Sequence, residues 1–572
     1  GRLMIKIRHV KRREFTVKKK TAAKVGLASL AVMLGGGTVL MNTQAYTPVH
    51  AETQSEETET ARSGETVQKS VILMIGSDET SRNLTWYANV EEAGSVQWAK
   101  QSDMQDGLFP AQYNEAAATS IAANDEGFYS NQATMTGLEE NTTYVYRVVN
   151  GDTISQIYTF ETGDFDDGYS FILAGDPQIG AGNTETDTVG WDETLDTAIA
   201  QLDPDFLVSA GDQVNTNNNE TQYTGYLNDA LTYLTSATTI GNHDSGSAAY
   251  NEHFNLPNES TQLGATTAGT DYWFVYDNTL FMVINSNNRS TAEHKEFMES
   301  AIAQNPDVRW KTVVFHHSVY STASHVNDGD IIERREELPP VMSELGIDVV
   351  LMGHDHVYTR TYMMNGTTPD DSQGVQSEVT NPEGVLYLTA NSASGSKYYD
   401  IAAPEAAYSA VMDQSYRRTI TDIHVTDTSY TMTTYYMDTM EVLDTFTINK
   451  IDTDKSGLQE LADKVSGLKE EDFTADEWNA LQSALSEAQT VLADENATQE
   501  AINEAYAALQ NAYDAAMAEE PGTGNEDPAD EQKPSQDDDE VDTAAVGTSA
   551  AVAGLLVLGA AGVMVATRKR KA

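Results

Sequence analysis

The sequence contains no cysteine, which excludes disulfide staples, thiolate metal sites and a cysteine nucleophile. Positive charge is also scarce: 34 Lys and Arg stand against 88 Asp and Glu in 572 residues, a formal net charge of -54. Ten of the basic residues and one Glu fall in residues 1–24, and Arg568, Lys569, Arg570 and Lys571 hold four more, which leaves 20 basic against 87 acidic residues between. A body this acidic repels nucleic-acid phosphates, so binding of DNA or RNA driven by charge is not expected. Long apolar runs are missing except for one near each end. The whole sequence is 40% hydrophobic, which rules out wholesale disorder, and its length calls for three or four modules rather than one core.

The first apolar run, "VGLASLAVMLGGGTVLM", follows the basic "KKKTAAK" and leads to small residues at Ala45 and at Val49 and Ala51. That is the pattern of a secretion signal over residues 1–51. The second, within Thr543 to Thr567, has about the ~20 residues needed to cross a ~30 Å hydrocarbon layer. It is followed by "RKRKA", a basic tail that belongs in the cytoplasm by the positive-inside rule. The expectation is a transmembrane helix at 544–567 that joins the chain to a bacterial membrane. The body would then lie on the extracellular face of a Gram-positive-type cell, anchored in membrane or wall. No LPxTG sequence precedes the run, which favours the membrane over sortase attachment.

Between these ends the composition changes four times. Residues 52–69 are polar and charged and read as a linker. Residues 70–163 hold short alternating runs such as "LTWYANV" and "YVYRVV" between Gly and Asn turns, predicting a small β-sandwich. Residues 168–450 alternate strand-like runs with helical stretches such as "WDETLDTAIAQL", predicting an α/β domain: a largely parallel sheet covered on both faces, with mixed strands added to it. Residues 455–518 read as helices, with a capping box from Thr474 to Glu477 and a stripe at Trp478, Leu481, Leu485, Ala488 and Leu492. Residues 519–543 form an acidic stalk.

Chemistry concentrates in the α/β domain. Five runs, "SFILAGD", "DFLVSAGD", "ATTIGNHD", "KTVVFHH" and "IDVVLMGHDH", all end in Asp or His. Ligands of open α/β sheets bind beyond the carboxyl ends of the strands, where these residues stand. One histidine at a strand end is usually satisfied locally. Here His243, His316, His317, His325, His354 and His356 gather beside Asp176, Asp212 and Asn242, and that concentration points to a metal site. Carboxylate, amide oxygen and imidazole nitrogen suit zinc, manganese or iron, whereas an all-oxygen site would suit calcium or magnesium. In an extended segment residues two apart face the same side, so His354 and His356 can reach neighbouring positions. A bridging carboxylate offsets the repulsion of two cations about 3.5–4 Å apart. Glycines before Asp176, Asp212, Asn242 and His354 allow tight turns and the close approach of a phosphate.

The blocks "GD" (175–176), "GDQV" (211–214), "GNHD" (241–244), "VVFHHSVY" (313–320) and "GHDHVYTR" (353–360) resemble, in order, the five motifs of the calcineurin-like metallophosphoesterases. The last block, with a preceding domain in which "LEENTTYVYRV" (138–148) resembles a fibronectin III corner, looks most like the purple acid phosphatases. The resemblance spans roughly residues 70–450 and implies an α/β sandwich of mixed sheets flanked by helices (βαβαβ), with two divalent or transition metal ions, Zn, Mn or Fe, as cofactors. By position, Asp212 would bridge them, Asp176 and His356 would hold the first, and Asn242, His316 and His354 the second. His243 would contact the phosphate, oriented by Asp244. His325 would protonate the leaving oxygen, His317 would stand behind the ligands or face the substrate, and Arg360 would brace the site. The implied activity is hydrolysis of small phosphate monoesters by a metal-bound hydroxide. The alternatives are a phosphodiesterase or nucleotidase on the same ions, and a surface binding protein whose phosphoesterase domain is weak or inactive.

Two positions depart from the pattern. Asn215 stands where purple acid phosphatases carry an iron-binding tyrosine, and Gln178 where the wider superfamily carries a histidine. The tyrosinate-to-iron absorption should therefore be absent, and the amide oxygen of Gln178, a water or Asn215 is left to complete the first ion. Residues 455–518 resemble the FIVAR module, a three-helix bundle of bacterial surface proteins, which implies a spacer or cell-wall and glycan contacts.

Overall fold

The computed structural model describes residues 64–494 and 497–518. The expected signal, acidic stalk, membrane helix and basic tail, and the linker up to residue 63, lie outside the described residues. The described fold holds no transmembrane helix to match that expectation: no helix among the described residues is long and apolar enough to cross a membrane. The longest ones are amphipathic, as in Ala475–Ala493, which carries Asp476 and Glu477 in its first turn. The chain divides into two compact units at residues 454 and 455.

The first unit begins with the expected sandwich. Alternation along its strands turns Trp86, Val96, Trp98, Tyr146, Val148 and Phe160 into one buried core. The Tyr144 hydroxyl accepts the Glu139 backbone N–H at 2.8 Å, closing the corner that "LEENTTYVYRV" announces. The sandwich does not end at a linker, however. Its strand Gln68–Ile75 pairs in parallel with Thr235–Ala237, Met74 opposite Ser236. One of its sheets thereby continues through Phe206–Ser209 and Tyr169–Ala174 to antiparallel strands Thr419–Val425, Ser429–Tyr436 and Val442–Asn449. The buried Arg82 seals the junction by donating to Thr235 Oγ1 at 3.0 Å.

A second sheet of seven strands carries Tyr272–Tyr276, Thr279–Val283, Trp310–Val314, Val349–Met352 and Leu386–Thr389. The two sheets pack on each other through aromatic rings. Phe171 stacks on Phe206 at 5.0 Å, Phe274 on Phe281 at 4.6 Å, and Phe206 meets Phe281 edge-on at 5.7 Å. Helices Thr291–Gln304 and Gly329–Glu344 cover the other face of the second sheet with Phe297, Met298, Leu338 and Met342. Helix Thr184–Leu202 packs Trp191, Leu195 and Ala198 into the core that the first sheet contributes to. Two mixed sheets thus lie face to face, the sandwich that the family resemblance implies, where alternation alone suggests one largely parallel sheet. A strand covered on both faces reads as a continuous apolar run whether the cover is a helix or another sheet.

The second unit is a three-helix bundle of Ser456–Ser466, Ala475–Ala493 and Gln499–Met517. Leu458, Val465, Leu481, Leu485, Ile502 and Leu509 fill its core. The capping box of Thr474 and Glu477 is formed.

Candidate metal centre

The parallel strands of both sheets deliver their ends to one place. Tyr169–Ala174, Phe206–Ser209 and Thr235–Ala237 lead into Asp176, Asp212 and Asn242; Trp310–Val314 and Val349–Met352 lead into His316 and His354. Ligand atoms of Asp176, Asp212 and His316 all lie within 4.8 Å of one another. The backbone is held in unusual conformations to achieve this: Asp176, Asp212, His354 and His356 have φ of 23°, 50°, 72° and 40°, and Gln178 has 36°. Such non-glycine outliers cost energy and cluster where a site over-determines them.

Glycine makes the convergence possible. A Cβ on Gly353 would stand 2.3 Å from Asp176 Oδ1, and one on Gly241 2.0 Å from Asp212 Oδ1. These two glycines therefore make room for the protein's own carboxylates, a use the sequence reading had assigned to an approaching phosphate.

Main-chain carbonyls fix the imidazole orientations. His316 Nδ1 faces Ala210 O at 3.0 Å, His356 Nδ1 faces Lys397 O at 2.7 Å and His243 Nδ1 faces Asn215 O at 2.8 Å. A carbonyl only accepts, so each Nδ1 carries the proton and each Nε2 is free to act as a ligand or acceptor. His356 Nε2 lies 3.1 Å from Asp176 Oδ2. His316 Nε2 lies 3.3 Å from Asp212 Oδ2 and 2.9 Å from Asn242 Oδ1. His354 Nδ1 approaches Asn242 Oδ1 at 3.0 Å and His316 Nε2 at 3.3 Å. This crowding of acceptor atoms, with Asp176 and His356 on one side, Asn242, His316 and His354 on the other and Asp212 against His316, is a donor set that fits two cations.

The electrostatics point the same way. Burial alone would raise Asp212, but the adjacent His316 and His243 outweigh it and hold its carboxyl at about 2. Burial would lower His316, yet Asp212 and Asp176 lift it to about 9. Burial and then the charge of His316 push His354 well below the ordinary imidazole range. The buried carboxylates thus gather positive charge into this cluster.

The remaining expected residues are spread around this cluster. His325 reaches the mouth: its ring packs on His354 at 4.6 Å, its Nδ1 meets Asp328 Oδ2 at 2.6 Å and its backbone N–H is held by Asp355 Oδ1 at 3.0 Å. His317 is buried behind the ligands, bonded through Nδ1 to Ser286 Oγ at 2.8 Å. Asp244 differs from its expected place against His243. Its buried carboxylate accepts the backbone N–H groups of Gly241 at 2.9 Å and Gln213 at 3.1 Å, tying together the two loops that present Asn242 and Asp212. Burial, then the charge of Asp212, pushes its carboxyl up to about 8. His243 is instead oriented by the Asn215 carbonyl.

Arg360 points away from the site to Asp444, with Nε to Oδ2 at 2.6 Å, and lies over the Phe446 ring at 4.4 Å. Gln178 and Asn215 are brought together: Gln178 Nε2 donates to Asn215 Oδ1 at 3.1 Å, and Gln178 Oε1 is buried without a hydrogen-bond partner among the described residues.

Two residues at the site escaped the sequence reading. Asp355, hidden between two histidines, holds Ser321 and the His325 backbone. Tyr399 packs its ring on His325 at 4.9 Å and on His356 at 5.1 Å. The alternation of "GHDH" signalled the first; nothing local signals the second, because a long loop returns it to the site.

Residues 169–358 match the calcineurin-like phosphoesterase family, residues 68–162 the purple acid phosphatase N-terminal domain and residues 454–516 the FIVAR domain. An uncharacterized protein of Mycobacterium tuberculosis is 23% identical over 286 residues, 42% of this chain and 53% of that protein. The chain thus spans about half the length of this curated relative. Purple acid phosphatase 17 of Arabidopsis thaliana is 48% identical over a 48-residue stretch, 8% of this chain and 13% of that one. Among solved structures, the purple acid phosphatase PPD1 of yellow lupin, Lupinus luteus, shares the fold with a TM-score of 0.54 at 16% identity, over 67% of this chain and 74% of that one.

Proposed function

We propose, from the premise that this chain is a calcineurin-like phosphoesterase with a purple acid phosphatase N-terminal domain, that it hydrolyses small phosphate monoesters in a metal-dependent reaction. The observation that carries this reading is the approach of His316 Nε2 to Asn242 Oδ1 at 2.9 Å and to His354 Nδ1 at 3.3 Å, beside Asp212. Asp176 and His356 would hold one ion, Asn242, His316 and His354 the other, and Asp212 both. Two such ions supply an activated water and neutralise phosphoryl oxygens.

The chain's own residues do the rest. His243 presents Nε2 because Asn215 O engages Nδ1, and with both ring nitrogens protonated it can donate to a phosphoryl oxygen as charge develops there. His325 carries Asp328 on its Nδ1, which orients the ring so that a proton on Nε2 can pass to the leaving oxygen. Asp355 fixes the backbone that carries it.

A second reading, a binding protein with a weak phosphoesterase domain, is favoured by the Gln178–Asn215 bond, which occupies one of the two amides left to complete the first ion. Assay of an aryl monoester and a diester with added zinc, manganese or iron separates the readings. Monoester turnover supports the proposal, diester preference makes the chain a phosphodiesterase or nucleotidase, and no turnover with any metal leaves the binding role.

A further inference from the structure

Away from the metal ligands, a fully buried ion pair lies beneath one wall of the site. His294, on helix Thr291–Gln304, is 2% exposed and Asp271 is 0% exposed. His294 Nδ1 meets Asp271 Oδ2 at 2.7 Å, and its Nε2 meets the backbone carbonyl of Asn288 at 3.0 Å. Asp271 Oδ1 accepts the Asn285 N–H at 2.7 Å. Both ring nitrogens thus face acceptors, and both carboxylate oxygens accept. An imidazolium facing a carboxylate satisfies all of these contacts, and makes both bonds of the ring charge-assisted.

The pair grips both ends of the segment 285–288, and the residues between reach two loops of the metal centre. Asn287 Nδ2 donates to the carbonyls of Ile240 at 3.0 Å and Gly241 at 3.2 Å, immediately before Asn242. Ser286 Oγ bonds His317 Nδ1 at 2.8 Å, and the His317 ring lies 4.9 Å from that of His354. Arg334 adds a clamp on the Ser286 carbonyl at 2.9 Å.

We propose that His294 is a positioning residue: held as an imidazolium between Asp271 and Asn288, it locks segment 285–288 and thereby sets Asn242 and His317. Its kinetic consequence rests on the phosphoesterase reading of that site; the lock itself does not.

The charges facing His294 are those of Asp271, Glu293 on its own helix, and Arg289 and Arg334, which line the same small cleft. Arg289 is paired with Glu333 and Arg334 with Asp330. Burial pulls His294 down, but the Asp271 bond and charge outweigh it and leave the imidazole above its ordinary value. Burial also raises Asp271, and His294 only partly offsets this. A group raised on folding lends stability that is full below its unfolded pKa and lost as pH climbs through the folded one. The lock therefore opens on the alkaline side.

The test is side-chain NMR of the full chain carrying 13Cε1-labelled histidine, with His294 assigned by the loss of its signal in His294→Gln. In the wild type the His294 signal should titrate above the ordinary value of about 6.5, and in Asp271→Asn at or below it. If His294→Gln does not fold, the one signal displaced in Asp271→Asn supplies the assignment. With the metals supplied, kcat of the wild type should fall as pH rises through the His294 midpoint. Asp271→Asn should move that fall to lower pH by about one unit or more and cut kcat about tenfold at neutral pH, with metal content unchanged. A wild-type His294 that titrates at or below its ordinary value, or an alkaline limb that stays in place in Asp271→Asn, overturns the proposal. A wild type that hydrolyses nothing refutes the phosphoesterase reading instead and leaves the NMR titration to decide the lock.

Discussion

Gln178 Nε2 donates to Asn215 Oδ1 at 3.1 Å, so the two residues that depart from the purple acid phosphatase pattern are bonded to each other. Asn215 Oδ1 is thereby engaged, while its backbone carbonyl orients His243. Gln178 Oε1 is the amide oxygen still unpartnered and buried. A first ion held by Asp176 and His356 would then have from the protein at most a neutral amide where an imidazole or phenolate would bind more strongly. Gln178→His should tighten the weaker-bound ion by about tenfold or more in a metal titration followed by calorimetry. Iron-loaded wild-type protein should show no phenolate-to-iron band in the visible spectrum, and Asn215→Tyr should acquire one.

Gly353 and Gly241 stand where a Cβ would meet Asp176 and Asp212 at 2.3 and 2.0 Å. Neither neighbour can retreat without moving a ligand, so Gly353→Ala should lower kcat by about 10²-fold. The melting curve, read beside the kinetics, should show the chain still folded.

Metal binding should release protons. Asp212 and Asp176 hold His316 up to about 9, so an incoming cation displaces the His316 proton at neutral pH. Affinity should therefore climb from pH 6 toward about 9. Calorimetry in two buffers of different ionisation enthalpy checks this: identical heats would contradict it.

Arg360 is buried and depends on Asp444, which also accepts the Tyr358 hydroxyl at 2.8 Å. Asp444→Ala leaves that guanidinium unpaired and should cost about 3–5 kcal/mol in denaturant unfolding. Arg360→Met combined with Asp444→Leu should recover much of the loss, because replacing both charges removes the desolvation penalty with the pair.

The sequence revealed the site more fully than the architecture around it. Strand-end motifs announce Asp176, Asp212, Asn242, His316, His354 and His356 because each strand must end where its ligand begins. They also place the capping box at Thr474 and the tyrosine at Tyr144. Periodicity could not show that a second sheet covers the first, since Phe171 and Phe206 read the same under a helix or under Phe281. Nor could it show Met74 joining the sandwich to Ser236, because register between distant strands leaves no local mark. Asp244 was read as a partner of its neighbour His243, whereas its carboxylate turns to the N–H groups of Gly241 and Gln213. The His294–Asp271 pair, from a helix and a strand entrance, has no motif at all.

The most direct test of the account counts bound metal and turnover together in the wild type and in Asp212→Ala. Two ions per wild-type chain are expected, about one or none in the variant, with at least about a 10³-fold loss of monoester hydrolysis. A wild-type chain that binds no ion, or an Asp212→Ala variant as active as the wild type, would contradict it.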